Sequence, residues 1–555
     1  MDSHARRLDR SSVFSLVALF AAVLLGVRWY SSADLEASTT VKLGAAGFNP
    51  LTADLKELQD ALDKGTLHSV DLVRLYTDQI QRHDGYLKAM IRFKPLQSVL
   101  RAAEILDTER SQGKIRGPLH GIPIVIKAGD NIDTHPDLGF QTTAGSYALV
   151  DSWPEKNAKI VDLLIAAGVI ILGKTNLSVC EVLGRQLGEN ITSGYSAVGG
   201  QVKSAYVRAT SDPDDSKDSH GNPSGSSAGS AVAVSAGYSP FSIGTETDGS
   251  LVLPAGRAAL YTMKPTIGLV PQAGIVPISA NFDSAGPMTK TPYDLAVLLD
   301  AIVDPERRPA KSYTSALTGS WSDISVATLD PEVWTLPESW LRPVESATRQ
   351  MTTEIRQTYA KIETLAKSYA GNVPLVDPQA FQRNGQNSET VVAAADFVKA
   401  INAYLQTRVN STVRSLGDLI DFNERHADLE LTPDSPNQER LLRAYRQSLT
   451  DEEYDAHWNH LRQVARDRGI DHILDTYQVD VIMAPADSLL ISYAACSGYP
   501  IATLPLSYLS YNGRPFGLSV VARANQEAVL IKVQSAWEAT FGPRRPPRGD
   551  GMKLS

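Results

Sequence analysis

From Asp54 to Lys64, and again from Ser69 to His83, apolar residues recur at three- and four-residue spacing. That period puts one apolar face on each segment and predicts two amphipathic helices, the second with Ser69 as its N-cap. A further helix is predicted from Leu96 to Gly113. The pattern then changes: His120 to Lys127 reads H-G-I-P-I-V-I-K, a short apolar, β-branched run bounded by glycine. Such a run predicts a buried strand. Ile160–Ala167 returns to helical spacing, and Val169–Leu172 is continuously apolar again. Small residues fill Ser230–Ala236 before Gly237, which suits a tightly packed helix that stops at a glycine. Phe241–Thr245 and Val479–Pro485 predict two more short strands. Strands apolar on both faces, alternating with helices, predict an α/β fold: a central mixed, twisted sheet covered on both faces by helices.

Beyond residue 305 the pattern loosens into loops holding proline and tryptophan, followed by long polar helices between 343 and 470. Residues 305–470 are therefore expected to form a variable helical region, a cap or subdomain inserted before the last strands. The amino terminus differs from the rest. Arg6, Arg7 and Arg10 precede an apolar run from Val13 to Val27, and small residues follow at Ser31-Ser32-Ala33. This predicts a signal peptide or signal anchor over residues 1–33 and entry to the secretory pathway. A cleaved segment gives a secreted protein; a retained one gives a single-pass anchor and membrane association. Asn190-Ile-Thr and Asn410-Ser-Thr are glycosylation sequons that fit this route. Asn176-Leu-Ser is a third, expected to be buried because it follows a strand.

Composition narrows the class. Of 555 residues, 43% are hydrophobic and 21% charged, an ordinary globular balance. A net charge of -9, with no long run of lysine and arginine, argues against a nucleic-acid partner. Cys180 and Cys496 are the only cysteines, so no disulfide framework and no cysteine-based zinc site is expected; the sequence leaves their pairing open. His457 and His460 lie on a polar helix and are not read as metal ligands. Neither metal nor organic cofactor is implied.

The chemistry concentrates in serines. Residues 221–230 read G-N-P-S-G-S-S-A-G-S and contain a literal G-x-S-x-G around Ser227. That pattern marks a nucleophile when a strand leads directly into it. Here a polar loop precedes it, so Ser227 reads as structural. The better context is Thr247-Asp248-Gly249-Ser250, where the 241–245 strand runs into a turn. Successive N–H groups in such a turn converge into an anion-binding nest, as an acyl-transfer enzyme needs for its oxyanion. Ser250 ends that nest and is the candidate nucleophile. A serine needs a base, and the candidate is Lys127 at the end of an apolar strand: burial favours its neutral amine.

These pieces together resemble the amidase signature family. In that family the nucleophile lies 24 residues after the first serine of the glycine/serine pair, the separation of Ser226 and Ser250. The flanking text matches at G-I-P-I-V-I-K around Lys127, G-K-T-N-L from Gly173, M-K-P-T-I-G-L-V from Met263 and G-I-V-P-I-S from Gly274. D-S-A-G-P-M-T-K-T from Asp283, G-Y-P-I-A-T-L-P from Gly498 and P-F-G-L-S from Pro515 match as well. The likeness covers roughly residues 45–545. It implies a Ser-Ser-Lys triad, with Lys127 as neutral base, Ser226 as a bridging serine behind a cis peptide bond and Ser250 as the acyl-forming nucleophile. The N–H groups of Thr247, Asp248, Gly249 and Ser250 would form the oxyanion hole, and Ser227 would be structural near the site. The implied activity is hydrolysis of a small-molecule, linear carboxylic amide without cofactor.

The sequence also departs from the family pattern. The first and third glycines of the glycine/serine motif are Ser224 and Ala228, and the common G-T-D-x-G-G-S is G-T-E-T-D-G-S, with Glu246 and Asp248. Val252 stands where many relatives carry arginine, and Ala128-Gly129 are inserted before Asp130. These changes bear on the shape and charge of the acyl pocket, Asp248 most of all. The rival readings are an esterase or lipid-amide hydrolase with the same triad, a transfer-RNA amidotransferase subunit, and a non-catalytic binding relative.

Overall fold

Among the described residues eleven strands hydrogen-bond into one mixed sheet. The computed structural model describes residues 48–127, 132–178, 192–207, 219–433 and 435–548. Of these, residues 50–548 belong to one compact unit. In chain order the sheet strands are β1 (Met90–Phe93), β2 (Pro123–Lys127), β3 (Ile170–Thr175), β4 (Phe241–Glu246), β5 (Tyr261–Lys264) and β6 (Ser284–Thr289). They continue as β7 (Ser325–Thr328), β8 (Ser368–Ala370), β9 (Val481–Pro485), β10 (Ile501–Tyr508) and β11 (Pro515–Val521). Across the sheet the order is β1-β3-β2-β4-β6-β5-β10-β11-β9-β7-β8. β3, β2 and β4 run parallel to one another, as do β9, β7 and β8. The strands between these two groups pair antiparallel.

Burial explains the apolar runs. Every residue of β2, β3, β4, β5, β6, β9 and β11 is buried, and exposed positions occur only on the two edge strands, β1 and β8. Because successive side chains point to opposite faces, such strands require cover on both sides of the sheet. Helices pack against the sheet along its length, among them Ser69–Leu87 on β2, Leu96–Ser111 on β3, Ala228–Ser235 on β4, and Glu527–Phe541 on β10. The expected α/β architecture is the observed one.

The helix predictions hold with local corrections. Leu55–Asp63 starts from Asp54, whose Oδ1 accepts from Glu57 N at 2.9 Å. The second helix runs Ser69–Leu87 with His68, not Ser69, as N-cap. Asp107 of the neighbouring helix accepts from Ser69 N (2.8 Å) and Val70 N (3.2 Å), so a tertiary carboxylate satisfies the first turn that Ser69 was expected to cap. The 305–470 region is not wholly helical. β7 and β8 come from it and join the main sheet, too short at four and three residues to show a period. Its α-helices among the described residues are Glu345–Glu363, Ser388–Gln406, Leu416–Arg425, Ala427–Glu430, Glu439–Arg446 and Asp451–Arg462. Phe397, Ile401, Tyr404, Leu416, Ile420 and Leu441 give part of this region an apolar core of its own, which also takes in Leu149 and Val276. Residues 1–33, Asn190 and Cys180 lie outside the described residues; Cys496 is buried. Among the described residues no helix is long and apolar enough to cross a membrane.

Candidate active site

The parallel pairing of β2 with β4 brings their carboxyl ends side by side, with Ile126 opposite Ile243. Lys127 closes β2 and is fully buried. Its Nζ donates to Ser226 Oγ at 2.6 Å, to Thr245 Oγ1 at 2.9 Å and to the Thr245 carbonyl at 3.2 Å. A strand of apolar residues thus delivers one amine to the end of the sheet, where hydroxyl and carbonyl oxygens receive it.

Ser226 sits in the loop before the helix Ala228–Ser235, and the Gly225–Ser226 peptide bond is cis. Its carbonyl accepts from Ser178 N at 3.1 Å. The helix that follows lies very close to the strand-end at Asn176. Gly229 N donates to Asn176 O at 3.0 Å, and a Cβ on Gly229 would stand 2.2 Å from that oxygen. The run of small residues is what this approach requires. Ser227 is buried; its Oγ donates to the Thr245 carbonyl at 3.0 Å and accepts from Thr245 N at 3.3 Å. Its own N–H donates to the Ser250 carbonyl at 3.2 Å, tying the serine loop to the turn after β4.

That turn, Thr247–Ser250, leads into the short helix Val252–Gly256. Gly249 has φ +77°, a conformation L side chains rarely adopt, and a Cβ there would meet Ile491 Cδ1 at 2.6 Å. Glu246 folds back over the turn: its Oε2 accepts from Leu251 N at 2.7 Å and Val252 N at 3.0 Å. The longer side chain noted as a departure from the family pattern therefore clamps the backbone next to Ser250. Burial pushes the Glu246 carboxyl up, with Lys264 opposing. Burial in turn pulls the Lys264 amine down to about 8, with Glu246 and Glu527 opposing. Asp248 is half-buried and its Oδ2 accepts from Ser492 Oγ at 2.9 Å, so its carboxylate is engaged by the helix Leu490–Ser497.

Sequence reasoning missed the groups behind these loops. Asp487 accepts from Arg257 Nε and Nη2, both at 3.2 Å, and from Arg514 Nη1 at 2.6 Å. Burial pushes the Asp487 carboxyl up, but the two guanidiniums prevail and hold it well below the usual carboxylate range. Arg257 Nη1 also donates to Asn222 O at 3.2 Å, and Asn222 Oδ1 accepts from Ser224 N at 2.6 Å. One ionic cluster thus braces both the helix after Ser250 and the loop that carries Ser226. Arg257 and Asp487 are 230 residues apart, and no local spacing announces the cluster. The stretch Gln141–Ser146 is bonded to the frame: Thr142 Oγ1 accepts from Lys174 Nζ at 2.7 Å, and Ser146 Oγ donates to Glu430 at 2.8 Å. His457 and His460 bond to Ser388 Oγ (2.9 Å) and Ala380 O (2.7 Å). Among the described residues no group of three or more histidine, cysteine, aspartate or glutamate side chains could hold a metal ion.

A cleft of about 900 Å³ opens on the turn. Thr247, Asp248 and Phe282 line it from the sheet side, and residues of Ser388–Gln406 and Glu439–Arg446, including Glu389 and Arg443, line it from the helical region.

At the ends of β2 and β4 this α/β protein brings together a buried lysine, the serine it bonds, and a turn carrying a second serine that is tied to the first one's loop through Ser227 N. The chain belongs to the amidase family, whose sequence model matches residues 71–531. It is 32% identical over 541 residues to a protein of Arabidopsis thaliana named as an amidase, covering 96% of this chain and 97% of that one. It is 30% identical over 528 residues to a Schizosaccharomyces pombe protein also named as an amidase, covering 89% and 86%. Its fold is similar to the structure of native peptide amidase from Stenotrophomonas maltophilia, with TM-score 0.77 and 33% identity over 90% of this chain and 99% of that one. The chain is an amidase-family hydrolase, and amide hydrolysis is its activity class.

Proposed function

We propose that the chain hydrolyses a linear carboxylic amide through an acyl-enzyme on Ser250, with Ser226 and Lys127 as the proton relay. The observation that carries this reading is the 2.6 Å bond from the buried Lys127 Nζ to Ser226 Oγ, in a loop tied to the Ser250 carbonyl through Ser227 N. Burial favours the neutral amine, which keeps its two N–H bonds for the Thr245 hydroxyl and carbonyl and turns its lone pair toward the Ser226 hydroxyl, where it can take the proton. Ser250 Oγ adds to the substrate carbonyl as its proton passes to Ser226, and the Ser226 proton passes to Lys127. The N–H groups of Thr247, Asp248, Gly249 and Ser250 face the resulting oxyanion. The carbon–nitrogen bond then breaks as the relay returns its proton to the leaving nitrogen. That step matters more for amides than for esters, because amines leave poorly. Water repeats the sequence on the acyl-enzyme and releases the carboxylate.

The 900 Å³ cleft has mixed walls, with Glu389, Arg440 and Arg443 beside Phe282, Val391 and Leu449, and is larger than a simple small amide needs. Together with the likeness to a peptide amidase, it supports a soluble substrate of short-peptide size over a lipid amide. The arginine-flanked apolar segment 13–27 supports entry to the secretory pathway, with residues 1–33 as signal peptide or anchor. Asn410 is exposed, its Nδ2 making one bond to Asp151 O at 3.2 Å, and fits glycosylation on that route, whereas Asn176 is buried, its Nδ2 donating to Lys88 O and Gly200 O at 3.0 Å each.

The test is adduct mapping on the full chain with a fluorophosphonate. The expected result is one adduct on Ser250 that disappears in Lys127→Ala, with kcat/KM on a peptide amide falling by roughly 10²–10⁴ in the same variant. An adduct on Ser227 instead would overturn the assignment.

A further inference from the structure

Thr247 lines the cleft, and its side chain is engaged by a carboxylate. Its Oγ1 donates to Asp283 Oδ1 at 2.7 Å. The other oxygen, Asp283 Oδ2, accepts from Ile278 N at 2.7 Å and Ser279 N at 2.9 Å. Both oxygens of this half-buried carboxylate are therefore occupied, one by the turn and one by the 278–283 loop. That loop is itself anchored. Ser279 Oγ donates to Asp396 Oδ2 at 2.5 Å, and Asn281 Nδ2 donates to the same oxygen at 2.9 Å. Tyr454 Oη completes the grip, donating to Asp396 Oδ1 at 2.9 Å while accepting from Asn281 Nδ2 at 3.1 Å. Asp396 belongs to the helix Ser388–Gln406, which lines the cleft, and Tyr454 to Asp451–Arg462, which packs on it.

We infer that Asp283 is a positioning residue for the oxyanion turn, and that Asp396 anchors this strut in the helices that wall the substrate cleft. The inference rests on the reading of Thr247–Ser250 as the oxyanion site. The physical case is one of leverage. A turn with a glycine at φ +77° has little intrinsic stiffness. Oxyanion stabilisation, by contrast, needs donors fixed to within a fraction of an ångström. Thr247 is the first residue of the turn, and its side chain is the handle by which a carboxylate from elsewhere in the sequence fixes the N–H direction. Asp283 touches no reacting atom; it acts only through Thr247. Because the far end of the strut lies on a helix that lines the cleft, one continuous run of hydrogen bonds joins that helix to the turn.

The test compares the wild-type full chain with Asp283→Asn and Asp396→Asn. Three readouts are taken: kcat and KM on a peptide amide, inhibition by a peptidyl trifluoromethyl ketone, and fluorophosphonate labelling. The ketone adduct is a tetrahedral oxyanion, so its affinity reports the donors of the turn, whereas KM reports the cleft. In Asp283→Asn we expect kcat to fall about 10–100-fold. Ketone affinity should fall by a similar factor, with KM within about twofold of wild type. Asp396→Asn, one link further away, should shift kcat and ketone affinity in the same direction by roughly 3–10-fold. Equal loss in KM, or unchanged kcat and ketone affinity in a folded variant, overturns the strut. If Asp283→Asn does not fold, Asp396→Asn decides alone: unchanged ketone affinity overturns the inference and a loss supports it. A wild-type chain that takes no label at Ser250 overturns the oxyanion reading itself, a failure distinct from that of the strut.

Discussion

Two adjacent buried serines have different hydrogen-bond partners, and the roles proposed for them differ accordingly. Ser226 Oγ receives the lysine amine at 2.6 Å, while Ser227 Oγ is used up between the N–H and carbonyl of Thr245. Ser227→Ala therefore removes a stitch between loop and strand, not a proton carrier. The expected outcome is a loss of about 1–2 kcal/mol in chemical denaturation, with fluorophosphonate labelling of Ser250 retained and kcat changed less than in Ser226→Ala. Loss of labelling in a folded Ser227→Ala protein would contradict this division. At this scale the sequence was informative, because both the missing strand before Ser227 and the strand before Thr247 are local features. It could not show that Glu246 caps Leu251 and Val252, because which backbone groups a carboxylate reaches depends on how the turn closes.

Elements with an apolar period were legible, and those stabilised by remote partners were not. β2, β3 and β4 are apolar because both sheet faces are covered, so burial wrote itself into the chain. β7 and β8 carry three or four residues each and take their place from pairing with β9 and with each other. The helix Pro292–Ile302 shows how such remote ties set energetics. Asp294, in its first turn, accepts from Leu55 N at 3.1 Å and so fastens the start of the first helix to it. Burial pushes the Asp294 carboxyl up to about 7, with Asp54 adding to the rise. A carboxyl raised above its unfolded value stabilises fully below about pH 4, and that contribution is lost as pH climbs through 7. Lys290 bears on the same segment, donating to Pro50 O at 2.6 Å and Ala53 O at 3.0 Å. Asp294→Asn should thus flatten the fall in stability between pH 4 and pH 7, by on the order of 3 kcal/mol. Urea unfolding of both proteins at several pH values measures it, and parallel pH curves would refute it.

The whole molecule depends on how firmly the helical region is fastened over the sheet. Its fastening runs through a buried ion pair, Arg408 with Asp133, at 2.7 Å. Arg408 also donates to Thr142 O and Ser152 O, both at 3.1 Å, and Tyr404 Oη donates to Asp133 at 2.9 Å. Burial pushes the Asp133 carboxyl up, and Arg408 is the first group that opposes it. Replacing both members of such a pair with apolar groups can be nearly neutral, but removing one strands the other. Arg408→Ala should therefore destabilise by about 3–5 kcal/mol, and Arg408→Met with Asp133→Leu should recover part of that. Phe397, Leu416 and Leu441 give part of the helical region an apolar core, shared with Leu149 and Val276, so the damage should fall on the docking of that part more than on its folding. Calorimetry of Arg408→Ala should then resolve a separate early transition, and KM should rise because helices of this region wall the cleft. A single transition at lower temperature with unchanged KM would mean instead that helical region and sheet unfold as one unit, with the ion pair contributing to that unit as a whole.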